Sequence, residues 1–156
     1  MVKPLRTVSE KEIEYEKRRW DLLDGFREKT HHILSILKNS GVNALVHGSV
    51  ARGDVNKDSD IDIIIPNKTP SYKVELAIEE SDLKPVSKEI VMATPWQLPK
   101  AHIDLGDNEL ITIPLLEPKK LESEFYQFGG AIGLNEINNE ERAPGIDKRL
   151  VLIEPT

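Results

Sequence analysis

The chain has 156 residues, a formal charge of −6 and no cysteine. That length suits one ordinary domain with a core large enough to need no covalent staples, and the missing cysteine excludes a disulfide framework and a Cys-based zinc site. The acidic balance argues against broad binding to a phosphate backbone. Met1 leads into a charged segment and no apolar run approaches membrane-spanning length, so neither a signal peptide nor an anchor is expected and the expected location is the cytoplasm.

The elements read in chain order as follows. Ser9-Glu10-Lys11-Glu12 has the form of a capping box. Apolar residues then recur at helical spacing (Ile13, Trp20, Leu23, Phe26, Ile33, Leu37, with Thr30 on the same stripe), and Asn39-Ser40-Gly41 supplies a stop. This predicts one long helix over about residues 10–39, with Gly25 a point of bending. The basic run Lys17-Arg18-Arg19 reads as a solvated face, because Glu14, Glu16 and Asp21 interleave with it. Residues 42–47 form a first strand, a Gly-Ser turn opens a short helix, and residues 61–65 form a second strand broken by Pro66-Asn67-Lys68. Thr69-Pro70 starts a helix running to about residue 80. Residues 88–93 read as a strand, and residues 95–99 as a stiff connector in which Trp96 plugs the core rather than stacking on a base. Residues 101–105 and 109–113 form a hairpin about Asp107-Asn108. A helix over 118–127 closes at Gly129-Gly130, residues 135–145 are polar and turn-rich, and 148–154 form a last strand. No internal repeat is present.

The chemistry concentrates in Leu45-Val46-His47-Gly48-Ser49-Val50-Ala51-Arg52-Gly53 and Asp58-Ser59-Asp60-Ile61-Asp62. A glycine at the end of a buried strand lets backbone approach a ligand closely. The helix that follows aims unsatisfied N–H groups the same way. Ser49 adds a hydroxyl, and Arg52 adds a positive charge suited to phosphate. Gly48, Ser49 and Arg52 are therefore the candidate phosphate-binding residues. Asp60 and Asp62 fall on one face of a strand, since alternate strand residues point the same way. Two like charges that close repel unless a cation sits between them. Oxygen donors with a substrate phosphate suit Mg2+, with Mn2+ as the alternative. The histidines read more modestly: His31 and His32 lie on the helix surface, His47 packs at a strand end, and His102 shares a face with Asp104.

The segment from Val46 to Ile65 resembles the signature of the DNA polymerase β-type nucleotidyltransferase superfamily, a Gly-Ser turn followed by an Asp-x-Asp strand. Its wording is similar to the small minimal nucleotidyltransferases of bacteria and archaea. The downstream run Phe125-Tyr126-Gln127-Phe128-Gly129-Gly130, with the chain end 150–156, resembles a group of archaeal members. The resemblance implies an α+β nucleotidyltransferase fold: a mixed sheet of about four to six strands, flanked by helices, with a long N-terminal helix. It implies one domain over 1–156, with the motif-bearing core at about 42–115 and a C-terminal helix and strand at about 118–154. It also implies a third carboxylate on a neighbouring strand, for which Asp104 is the best candidate and Asp107 the runner-up. Asp60, Asp62 and Asp104 would then be both the catalytic residues and the metal ligands. The implied activity is Mg-dependent transfer of a nucleoside monophosphate from a nucleoside triphosphate, with ATP the expected donor, to an acceptor hydroxyl. The acceptor stays open between an RNA end, a small molecule and a protein. The alternative is a catalytically silent nucleotide-binding or antitoxin-like subunit with a helical protein partner.

Overall fold

A computed structural model describes residues 10–92 and 98–156. Its first element is α1 (Lys17–Asn39), which runs without interruption through Gly25. The buried stripe is Leu23, Arg27, Thr30, Ile33, Leu34 and Leu37, at the spacing of one helical face. The helix begins later than the sequence predicts. Residues 10–14 are exposed, Ile13 among them, so nothing rewards their ordering into a further helical turn. Ser9 of the expected capping box lies outside the described residues, as do Ala93 of the expected strand 88–93 and the whole of the connector core around Trp96.

Beyond α1 come β1 (Leu45–His47), α2 (Ser49–Arg52), β2 (Ile61–Ile64), α3 (Ser71–Glu79), β3 (Ser87–Val91), β4 (Lys100–Gly106) and β5 (Glu109–Pro114). They are followed by α4 (Lys120–Gly129), β6 (Ala131–Ile132), α5 (Leu134–Asn138), β7 (Gly145–Ile146) and β8 (Leu152–Ile153). The main sheet has six strands in the order β3-β4-β5-β2-β1-β6; β2 and β5 are parallel and every other pair is antiparallel. This is the α+β arrangement of a mixed sheet, flanking helices and a long N-terminal helix. The hairpin joining β4 to β5 turns through Asp107 and Asn108, both at positive φ, as a tight two-residue hairpin requires.

Register assigns the two faces of the sheet. Val46, Ile63, Ile111 and Ile103 form one cross-strand row, and all four are buried in the main apolar cluster with α1 and α3. Removing each such side chain from water is worth about 1.5–3 kcal/mol. The adjacent row, His47, Asp62, Leu110 and Asp104, points to the opposite face. One face is thus a core and the other carries the polar groups.

The C-terminal third differs most from expectation. The turn-rich stretch 135–145 contains α5, whose start is held by Gly133 N–H donating to Glu136 Oε2 at 3.1 Å. With glycine at the cap there is no side-chain signal at that position for a sequence reading to find. The last strand shrinks to Leu152–Ile153, which pairs with Gly145–Ile146 as a separate small hairpin. Asp147 Oδ1 accepts the N–H groups of Arg149 and Val151 at 2.8 and 3.1 Å, bending 147–151 into a turn instead.

Two glycines test this packing in opposite directions. A Cβ on Gly145 would stand 2.6 Å from the Gly129 backbone, so Gly145→Ala should destabilise the fold by about 1–3 kcal/mol. Gly25 sits in an open, exposed stretch of α1, so Gly25→Ala should stabilise it by about 0.5–1 kcal/mol. Urea unfolding of both variants beside the wild type measures each change.

Candidate active site

β1 ends at His47 and the chain turns sharply at Gly48, whose φ of 90° excludes most other residues. Gly48 N–H donates to Gly130 O at 2.9 Å, while Gly48 O accepts the N–H groups of Ala51 and Arg52 and so starts α2. Gly53, at φ 108°, ends the helix one turn later. The N–H groups of Ser49 and Val50 have no acceptor within so short a helix, and together with the Ser49 hydroxyl they are the donors this turn can offer to an anion.

Two buried arginines hold the turn in place. Arg27, from α1, donates to Val50 O at 3.1 Å, Ala51 O at 3.1 Å and Glu141 O at 2.6 Å. It thereby satisfies carbonyls at the end of α2, and burial lowers its pKa from the usual arginine value, Arg142 adding to the effect. Arg52 was expected to bind phosphate, and its placement corrects that expectation. Its guanidinium is buried, forms a two-pronged ion pair with Asp54 at 3.0 and 3.1 Å, and donates to Gly129 O at 2.7 Å. The charge that looked available in sequence is spent on the fold. Arg27 escaped sequence reading because it is one of six lysines and arginines in a charged helix. The available signal was its position, in phase with Leu23, Thr30 and Leu34.

The carboxylates lie on the open face. Asp62 is half-buried at the second position of β2, and Asp60 is exposed just before that strand. Burial, reinforced by the negative charge of Asp60, raises the Asp62 pKa above the usual carboxylate range; Lys148 and His102 oppose the rise. Two hard oxygen donors under mutual repulsion fit a divalent cation such as Mg2+. Asp104 shares the cross-strand row with Asp62, but Leu110 of β5 stands between them. Two strand spacings put about 10 Å between the backbones of Asp62 and Asp104. Asp104 Oδ1 also accepts the Gly106 N–H at 2.8 Å, where the hairpin register shifts. Among the described residues, no three His, Cys, Asp or Glu side chains gather closely enough to hold one ion. The expected three-carboxylate cluster is therefore a pair with a third member apart. Asp107 belongs to the hairpin turn.

His47 flanks Asp62 on the other side and packs edge-on against Tyr126, with ring centroids 5.3 Å apart. Its Nε2 is buried without a hydrogen-bond partner, and burial, aided by Arg52, lowers its pKa. It is a neutral packing group at neutral pH. His102 Nδ1 lies 3.3 Å from the Thr112 hydroxyl, one row from Asp104. A groove of about 500 Å3 between α1 and α5, lined in part by Trp20, Arg27, His31 and Arg142, contains none of the three aspartates.

Residues 28–123, more than half of the chain, match the nucleotidyltransferase domain family. The chain belongs to that family. A solved structure described as "structure of GLD-2/RNP-8 complex" is similar to this nucleotidyltransferase domain at 18% identity and a TM-score of 0.39, over 63% of this chain and 46% of that one. The domain thus spans about half the length of that neighbour. No curated protein matches it. No helix among the described residues is long and apolar enough to cross a membrane.

Two substitutions separate the roles of these groups. Arg52→Met strands the Asp54 carboxylate and should cost about 3 kcal/mol in urea unfolding. Asp62 has a folded-state pKa above that of the unfolded chain, so its charge costs stability at neutral pH and nothing once both states are protonated. Asp62→Asn should raise the melting temperature at pH 7. The gain should vanish as pH falls through the ordinary carboxylate range, which melting curves recorded across pH will reveal.

Proposed function

We propose that this chain acts as a single domain that moves a nucleoside monophosphate from a nucleoside triphosphate, ATP first among them, to an acceptor hydroxyl. The acceptor oxygen forms a bond to the α-phosphorus, the bond from that phosphorus to the bridging oxygen breaks, and pyrophosphate leaves. The observation that carries this reading is the pair Asp60 and Asp62, with Asp62 under charge repulsion on the strand paired with β1, which leads into the Gly48 turn.

Gly48 and Ser49 would orient the phosphates through backbone N–H groups and one hydroxyl. Asp60 and Asp62 would hold Mg2+ or Mn2+, which when bound neutralises phosphate charge and favours ionisation of the acceptor. Asp104 has Oδ1 engaged with Gly106, leaving Oδ2 to take the acceptor proton. The acceptor would lie over Leu110, between Asp62 and Asp104. Catalysis would then be mostly positioning and electrostatics. An RNA end, a small molecule or a protein hydroxyl each fits this chemistry as acceptor.

A second reading draws on two observations. Leu110, not a carboxylate, sits beside Asp62 on the adjacent strand. Leu121, Phe125 and Phe128 form one exposed stripe on α4. Both favour a catalytically silent nucleotide-binding subunit, antitoxin-like, with a helical protein partner.

Calorimetric titration of Mg-ATP and the other nucleoside triphosphates into wild type and the Asp60→Ala/Asp62→Ala double variant separates these readings, followed by a labelled-nucleotide transfer assay. The transferase reading expects metal-dependent binding that the double variant loses, and transfer reduced by at least about a hundredfold in either single variant. Transfer at the wild-type rate by Asp60→Ala would sink it, and binding without transfer to any acceptor favours the silent subunit.

A further inference from the structure

Helix α4 lies on the face of the sheet that carries the aspartates. Tyr126 packs edge-on against the His47 ring of β1 at 5.3 Å and accepts a hydrogen bond from Lys100 Nζ of β4 at 3.3 Å. Glu122 pairs with the same lysine at 3.8 Å, and a Cβ on Gly129 would collide with His47 Nε2. Glu122, Tyr126 and Gly129 are therefore the inward side of α4. Its end is tied to the Gly48 turn twice: Gly129 O accepts from Arg52 at 2.7 Å, and Gly130 O accepts the Gly48 N–H at 2.9 Å.

Phe125 stands at the rim of that inward side, three residues after Glu122 and four before Gly129. Its ring centroid lies 6.0 Å from that of His47 and 5.9 Å from that of Tyr126, yet the residue is 62% exposed. Leu121 and Phe128 of the same exposed stripe have no inward residue of α4 three or four positions away. His47 directly precedes Gly48 and is the cross-strand partner of Asp62. One ring contact thus separates Phe125 from the residue that leads into the turn, and one further strand spacing leads to Asp62.

We propose that Phe125 is the base-binding residue of this site, its exposed ring stacking on the nucleobase of the nucleoside triphosphate whose phosphates Gly48 and Ser49 hold. The assignment rests on the nucleotide reading given above. A flat apolar ring beside a phosphate-binding turn matches a ligand that is flat and aromatic at one end and anionic at the other. Contact with His47 and Tyr126 limits the ordering that Phe125 undergoes on binding. Stacking needs only the face of a base, so Phe125 adds affinity without choosing among bases.

Calorimetry on wild type, Phe125→Ala, Phe125→Trp and Phe128→Ala tests this with two probes, Mg-ATP and magnesium with inorganic triphosphate, which has no base. Phe125→Ala should bind Mg-ATP about five- to a hundredfold more weakly and inorganic triphosphate as wild type does. Phe125→Trp should retain Mg-ATP affinity, Phe128→Ala should match wild type with both probes, and the melting curves should coincide. Wild-type Mg-ATP affinity in Phe125→Ala overturns the assignment alone and leaves the stripe to a protein partner. An equal loss with inorganic triphosphate, or in Phe128→Ala, also overturns it. A wild-type protein that binds neither probe overturns the assignment together with the nucleotide reading beneath it.

Discussion

The buried guanidinium of Arg27 is the constraint on which the site depends. A four-residue helix has almost no internal hydrogen bonding and leaves its terminal carbonyls without partners. Left alone, Ser49–Arg52 would not stay helical in water. Arg27 reaches from the long helix to the carbonyls of Val50, Ala51 and Glu141, so one side chain joins α1, α2 and the segment after α5. Arg52 does the matching work on the other side, tying α2 to Asp54 and to the end of α4. Both charges are buried, and both are offset by direct oxygen acceptors, the condition under which a buried cation is tolerated.

The sheet then divides its two faces. The row Val46, Ile63, Ile111 and Ile103 packs under α1 and α3, while the alternating row carries His47, Asp62, Leu110 and Asp104. Successive strand residues point to opposite faces, so the register that buries the first row also sends Asp62 and Asp104 to the other side of the sheet. Asp62 shows the consequence. Its half-buried place beside Asp60 disfavours its charge, the kind of local destabilisation that a bound cation relieves.

Much of this was legible in the chain. The motif from Gly48 to Asp62, the strand that follows and the hairpin about Asp107-Asn108 all rest on local signals: glycine at a turn, alternation, and a two-residue loop. The family match over residues 28–123 agrees with the resemblance read from that motif. Less was legible where partners are distant in sequence. Arg52 is separated from Gly129 by 77 residues and Arg27 from Glu141 by 114, so no local pattern distinguishes a structural arginine from a ligand-binding one. The late start of α1 has the same origin, because periodicity continues through Ile13 while burial does not.

By itself the sequence determined the superfamily signature, the alternating strand that carries Asp62, and the class of a mixed sheet with helices. These follow from spacing along one strand and one turn. Only the tertiary structure decided that Leu110 separates Asp104 from Asp62, and that the Arg52 guanidinium is engaged by Asp54 and Gly129. Strand order and hairpin docking bring together residues that are far apart in the chain, and no spacing along a single element encodes which strand lies next to which.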